Sequence, residues 1–89
     1  MKIKASKPIA QVGKGDVINV DGKAYEVDAH YVLIDHGTTK EMAIEIFDPK
    51  DDDSDCQIRY FDDQAEETIT FYVFNGLMYD QKEIEKVEW

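Results

Sequence analysis

Cysteine occurs once in these 89 residues, at Cys56, so no disulfide can form within the chain and packing alone must hold the fold. A lone thiol fits a reducing compartment. The opening stretch MKIKASKPIAQVGK contains no apolar run of signal-peptide length, so a cytoplasmic location is expected. No apolar run approaches the ~20 residues that cross a bilayer as a helix, and no membrane partner is expected. Glycine is scarce, with five copies, and none forms a phosphate-cradling loop ahead of a helix. The two histidines, His30 and His36, do not combine with Cys56 in the spacing of a structural zinc site. Cys56 falls on the apolar face of its segment, where a small buried thiol is the ordinary expectation. The pattern offers no catalytic machinery, so a non-enzymatic protein without a resident cofactor is expected.

Positive charge is the other shortage. Ten Lys and Arg face twenty Asp and Glu, a formal charge of −10. A magnitude of ~2–8 suffices to keep a small domain dissolved, so the excess points to a further use. The imbalance is also local. Residues 1–40 carry six lysines and five acids, whereas residues 41–89 carry four bases and fifteen acids. Between Phe47 and Glu67, nine carboxylates (Asp48, Asp51, Asp52, Asp53, Asp55, Asp62, Asp63, Glu66, Glu67) outnumber Lys50 and Arg59. Such a field repels nucleic acid and anionic membranes, and it attracts basic proteins and cations. Phe61 and Tyr72, with Phe74, turn away from the core by strand alternation and would supply apolar anchors inside that acidic rim. The expected partner is a basic protein, including a nucleic-acid-binding one whose groove the carboxylates fill by imitating phosphate spacing. A homodimer that covers the same aromatics is the alternative.

Eighty-nine residues make one domain, hiding roughly 60–65% of the unfolded surface. Lys2, Lys4, Lys7 and Lys14 form a basic arm, which Ile3, Ile9 and Val12 would anchor as an edge strand near the acidic half. Asp16–Val20 is a short apolar run, Asp21-Gly22 a two-residue turn, and Lys23 begins the return. That return places Tyr25, Val27, Ala29, Tyr31 and Leu33 on one face, with Glu26, Asp28 and His30 on the other.

Gly13 to Val27, reading GKGDVINVDGKAYEV, resembles the opening hairpin of SH3-like, KOW-like barrels such as the N-terminal domain of translation elongation factor P. There too a Gly-Asp-apolar run meets an Asp-Gly-Lys turn. The resemblance implies a small barrel. It also implies a modified lysine on a Pro-Gly-Lys-Gly loop after the second strand, but here Asp35–Lys40 reads DHGTTK, so only the barrel is carried over.

Glu41–Phe47 alternates as a strand, although Thr38 with Glu41 also fits a capping box for a short helix. Cys56, Ile58 and Tyr60 alternate with Gln57, Arg59 and Phe61, and Thr68–Phe74 alternates most clearly of all. Asn75-Gly76 predicts a hairpin with Leu77-Met78-Tyr79 returning. Asp80 with Glu83 fits either a last helical turn or an edge strand ending at Trp89. The expected fold is mainly β: a small antiparallel meander of six or seven strands, closing as an SH3-like barrel or curled sheet with at most one or two short helical turns.

The acidic segment allows a second functional reading. Asp51, Asp53 and Asp55 have the spacing of the first, third and fifth ligands of a calcium loop, with Asp62 at the twelfth position. Cys56 stands where that loop wants its glycine. A generic SH3-like adaptor is the third reading.

Overall fold

The computed structural model describes the backbone of all 89 residues and every side chain except those of Asp52 and Asp53. Strand fills 57% of the chain and helix 7%, so the protein is mainly β, as the alternation predicted. The strands are β1 (Lys2–Lys4), β2 (Val17–Val20), β3 (Lys23–Asp35), β4 (Lys40–Asp48) and β5 (Asp51–Phe61). β6 (Thr70–Phe74), β7 (Tyr79–Lys82) and β8 (Lys86–Glu88) complete them, with single 3-10 turns at Ile9–Gln11 and Ala65–Glu67. All eight strands belong to one curled sheet in the order β1-β8-β2-β3-β4-β5-β6-β7.

Chain order and sheet order agree from β2 to β7, where each strand pairs antiparallel with the next. Asp21 (φ 49°) and Gly22 (φ 84°) both take positive φ, the backbone that a two-residue hairpin turn requires. β8 breaks the meander. It leaves the β7 edge, crosses to the far side of the sheet, and inserts between β2 and a parallel β1. Only Glu83, Ile84 and Glu85 make that crossing, a reach of about 14 Å at ~3.5 Å per residue. Two ends of an eight-stranded sheet lie that close only if the sheet curls upon itself. This crossing also explains why eight strands form where six or seven were expected: the segment after Asp80 is two short strands with no helical turn.

The curl encloses the core. Ile18, Val20, Tyr25, Val27, Ile44, Ile46, Cys56, Ile58, Tyr60, Ile69, Phe71 and Val87 are buried within it, and Ile84 packs against it from the crossing. Ile9 and Val12 join this core from the 3-10 turn and the residue after it, so only Lys2–Lys4 of the basic arm is strand. Pro8, at φ −57° and ψ 141°, leads into that turn after a bend at Ser6-Lys7.

β3 departs from simple alternation. Its register with β4 slips between Val27 and Ala29 and again between Val32 and Ile34, each slip a bulge. A one-residue slip moves every following side chain to the other face. Val27 pairs with Ile46 on the core side, whereas Tyr31 pairs with Ala43 on the opposite face and His30 with Ile44 inside. The expected single face of Tyr25, Val27, Ala29, Tyr31 and Leu33 is therefore divided at Asp28.

Candidate interaction site

The nine carboxylates between Phe47 and Glu67 do not form one surface. Asp51 opens β5 and Phe61 closes it, so the strand expected over Cys56–Phe61 begins earlier, with the acidic residues from Asp51 forming a bulged start to it. The regular ladder from Asp55, opposite Phe47, to Phe61, opposite Glu41, spans about 20 Å at ~3.3 Å per residue, whereas Asp51 and Asp55 oppose the consecutive residues Asp48 and Phe47 across a bulge. Asp48, Asp51 and Asp55 lie at the β4–β5 turn, whereas Asp62, Asp63, Glu66 and Glu67 lie at the opposite end. Asp52 and Asp53 belong by backbone position to the first group, their side chains lying outside the described residues. The calcium reading needs Asp51, Asp53, Asp55 and Asp62 around one ion with ligand distances of about 2.3–2.6 Å. Asp51 and Asp62 flank the whole of β5, so they cannot share an ion.

Each end has its own chemistry. At the β4–β5 turn, Asp48 accepts from the Lys50 backbone N–H at 2.9 Å and pairs with Lys23 at 3.4 Å. Its pKa lies below the usual carboxylate value, first through that backbone bond and then through Lys23. The β6–β7 hairpin tip projects at the same end, since Val73 pairs with Cys56 and Phe74 follows it. Asn75 Oδ1 accepts from the N–H groups of Leu77 and Met78, and the Asn75 N–H donates to the Met78 carbonyl. The turn therefore takes in residues 75–78 rather than the expected two. Leu77 and Met78 are consequently held out of the returning strand, 92% and 61% exposed. An apolar knob thus stands beside the acidic turn.

At the far end, Asp62 Oδ1 accepts from the Lys40 N–H at 2.9 Å and the Thr39 hydroxyl at 3.0 Å, which lowers its pKa. Asp63 accepts from the same hydroxyl at 2.7 Å. Phe61 rests against the His36 ring at 5.9 Å between centroids. Glu66 and Glu67 are exposed on the second 3-10 turn.

Between the ends, the face opposite the core carries a chain of donors that sequence reading missed. Arg59 Nε donates to Gln57 Oε1 at 2.6 Å, Gln57 Nε2 to the Tyr31 hydroxyl at 3.1 Å, and that hydroxyl to Glu45 Oε1 at 2.8 Å. The guanidinium also lies 4.0 Å from the centre of the Tyr72 ring, a cation–π contact. Tyr72 is thus committed to Arg59, and it does not join Phe61 in one patch. The chain runs from cation to anion across three strands, and its member Gln57 and the neighbouring Ala43 are buried although they face away from the core. Burial, and then the bond to Glu45, pushes the Tyr31 pKa up to about 12. Tyr31 arrives here only through the bulge at Asp28, which strand alternation cannot reveal.

Lys7 pairs with Asp16 at 2.7 Å, and Lys4 lies opposite Glu88 in the β1–β8 register. Cys56 is buried, and burial pushes its thiol pKa upward. Comparison with protein families, with curated proteins and with solved structures finds no match for this chain.

Proposed function

We propose that this protein is a non-enzymatic binding module for a basic protein, with the β4–β5 turn as its principal contact. The observation that carries the reading is that the β4–β5 turn with Asp51 and Asp55 and the exposed Leu77–Met78 knob fall at the same end of the sheet. Acidic groups at a rim steer a cationic partner, and a desolvated apolar centre supplies most of the hold. Imitation of nucleic-acid charge is the inhibitory form of the same reading. The division of the carboxylates into two groups fits a partner with two separated basic patches, or one that grips a single end.

The test is capture from lysate on immobilised protein across a salt series. Basic partners are expected, released as ionic strength rises, because exposed charges are screened beyond ~10 Å at 0.1 M. The triple substitution Asp51→Asn, Asp53→Asn, Asp55→Asn is expected to abolish capture. Salt-insensitive capture of neutral or acidic proteins, or binding unchanged in the triple variant, defeats the proposal; the latter result would favour a generic adaptor.

A further inference from the structure

β3 runs thirteen residues, and its two neighbours cover it unequally. β4 pairs with it from Glu26 to Asp35, whereas β2 reaches only from Lys23 to Glu26. Just beyond, the Val27 N–H donates to the Asp16 carbonyl and the Gly15 N–H donates to the Val27 carbonyl. From Asp28 to Asp35 no strand pairs with the other edge among the described residues. A side chain makes the next contact there: His30 Nδ1 lies 2.6 Å from the Val12 carbonyl.

An open edge turns alternate backbone N–H and C=O groups outward, ready to pair with another extended chain. Proteins commonly guard such edges with lysine, proline or bulges; neither lysine nor proline occurs between Ala29 and Ile34. The two bulges fall at Asp28 and Leu33, leaving Ala29 to Val32 a regular run. Val32 and Ile34 stand 46% and 47% exposed on this segment, on opposite faces of the strand. Asp28 and Asp35 mark its two ends, and Glu41 lies across from Ile34. Lys40, opposite Asp35, is the local counter-charge.

We propose that Ala29–Ile34 is a strand-addition site, which takes an extended apolar segment flanked by lysines or arginines from a partner protein. The inference rests on the reading of a basic partner and deepens it. Charge selects the occupant: a basic flank meets Asp28 or Asp35 at each end, whereas a second copy would bring another chain of −10 against the first. Main-chain hydrogen bonds supply affinity, and Val32 and Ile34, on opposite faces, each meet side chains of the added strand on their own face.

The probe is a fluorescein-labelled peptide of about six alternating valines and threonines, the length of an ordinary strand, with two lysines at each end. Its binding is followed by anisotropy, and backbone amide shifts of the protein locate it. Expected are saturable binding and shifts centred on residues 28–35. A peptide N-methylated at alternate positions, which cannot complete the ladder, is expected to bind at least about tenfold more weakly. So is the original peptide to the Val32→Lys, Ile34→Lys variant, both positions being solvent-exposed and the fold verified by circular dichroism. Undetectable binding, equal binding of the N-methylated peptide, or shifts confined to the β4–β5 turn would overturn the strand-addition site. A wild-type dimer that the lysine variant dissociates would assign the edge to a second copy and overturn it too. Failure here leaves the salt-graded capture result standing, because that result depends on Asp51 to Asp55 and not on backbone donors of β3.

Discussion

Tyr60 shows how one residue links the sheet to the N-terminal segment. Its hydroxyl lies 2.7 Å from His30 Nε2, and His30 Nδ1 faces the Val12 carbonyl. A carbonyl only accepts, so Nδ1 carries a proton, and in the neutral ring Nε2 accepts from Tyr60. Tyr60→Phe removes that bond and is expected to lower stability by about 1 kcal/mol in urea unfolding. An unchanged midpoint would show that the bond contributes nothing net. Ile58, 1% exposed at the centre of β5, sets the upper scale: Ile58→Ala is expected to cost about 2–5 kcal/mol through lost burial and the cavity left behind. Tyr31 and Tyr60 also fix an alkaline limit. Burial, before any other cause, raises both to about 12 from the usual 10. An unfolded chain releases these protons near pH 10 while the folded one retains them, so their contribution is complete below pH 10 and lost as pH rises toward 12. Tyrosinate absorbance and ellipticity, followed together, are expected to change in that window. Tyrosinate absorbance near pH 10, with ellipticity intact, that is lost in Tyr31→Phe or Tyr60→Phe would contradict it.

At the scale of elements, the β2–β3 turn secures β8 as well as its own hairpin. Asp21 Oδ1 accepts from the N–H groups of Glu85 at 2.8 Å and Lys86 at 2.9 Å, and the Asp21 N–H donates to the Lys86 carbonyl. The residue that makes the turn thus holds the strand arriving from the far edge. Asp21→Ala removes the carboxylate acceptor and places a poor left-handed residue at φ 49°, so a loss of about 1–2 kcal/mol is expected. Asp21→Asn keeps an acceptor and the turn preference and should retain most of the stability. Amide exchange at Val87 and Glu88 is the specific readout, and equal exchange in both variants would show that the turn does not hold β8.

For the whole molecule, ten uncompensated negative charges on 10.3 kDa oppose compaction. Screening relieves that repulsion, so the melting temperature is expected to rise between about 0.01 M and 0.15 M salt, over which the Debye length falls from about 30 Å to 8 Å. Partner capture should weaken over the same range. The opposite trends separate self-repulsion from attraction, and a melting temperature that falls with salt would indicate internal ion pairs dominating the native state.

Local chemistry made much of the fold legible. Asp21-Gly22 demanded its turn because two consecutive residues needed positive φ, and Cys56, Ile58 and Tyr60 marked the inner face of β5 by period-two burial. The negative charge of residues 41–89 was equally readable, since charge is a property of composition. Its arrangement was not. Whether Asp51 and Asp62 share a surface depends on the residues between them forming a strand or a loop, and pairing with β4 and β6 decides that. The bulge at Asp28 transfers Tyr31 to the outer face, and β8 enters between β1 and β2 through contacts some seventy residues apart, such as Asn19 with Glu88. Sequence fixes what each residue prefers within a few neighbours, whereas backbone hydrogen bonds between distant segments choose the register, and register alone determines which side chains meet.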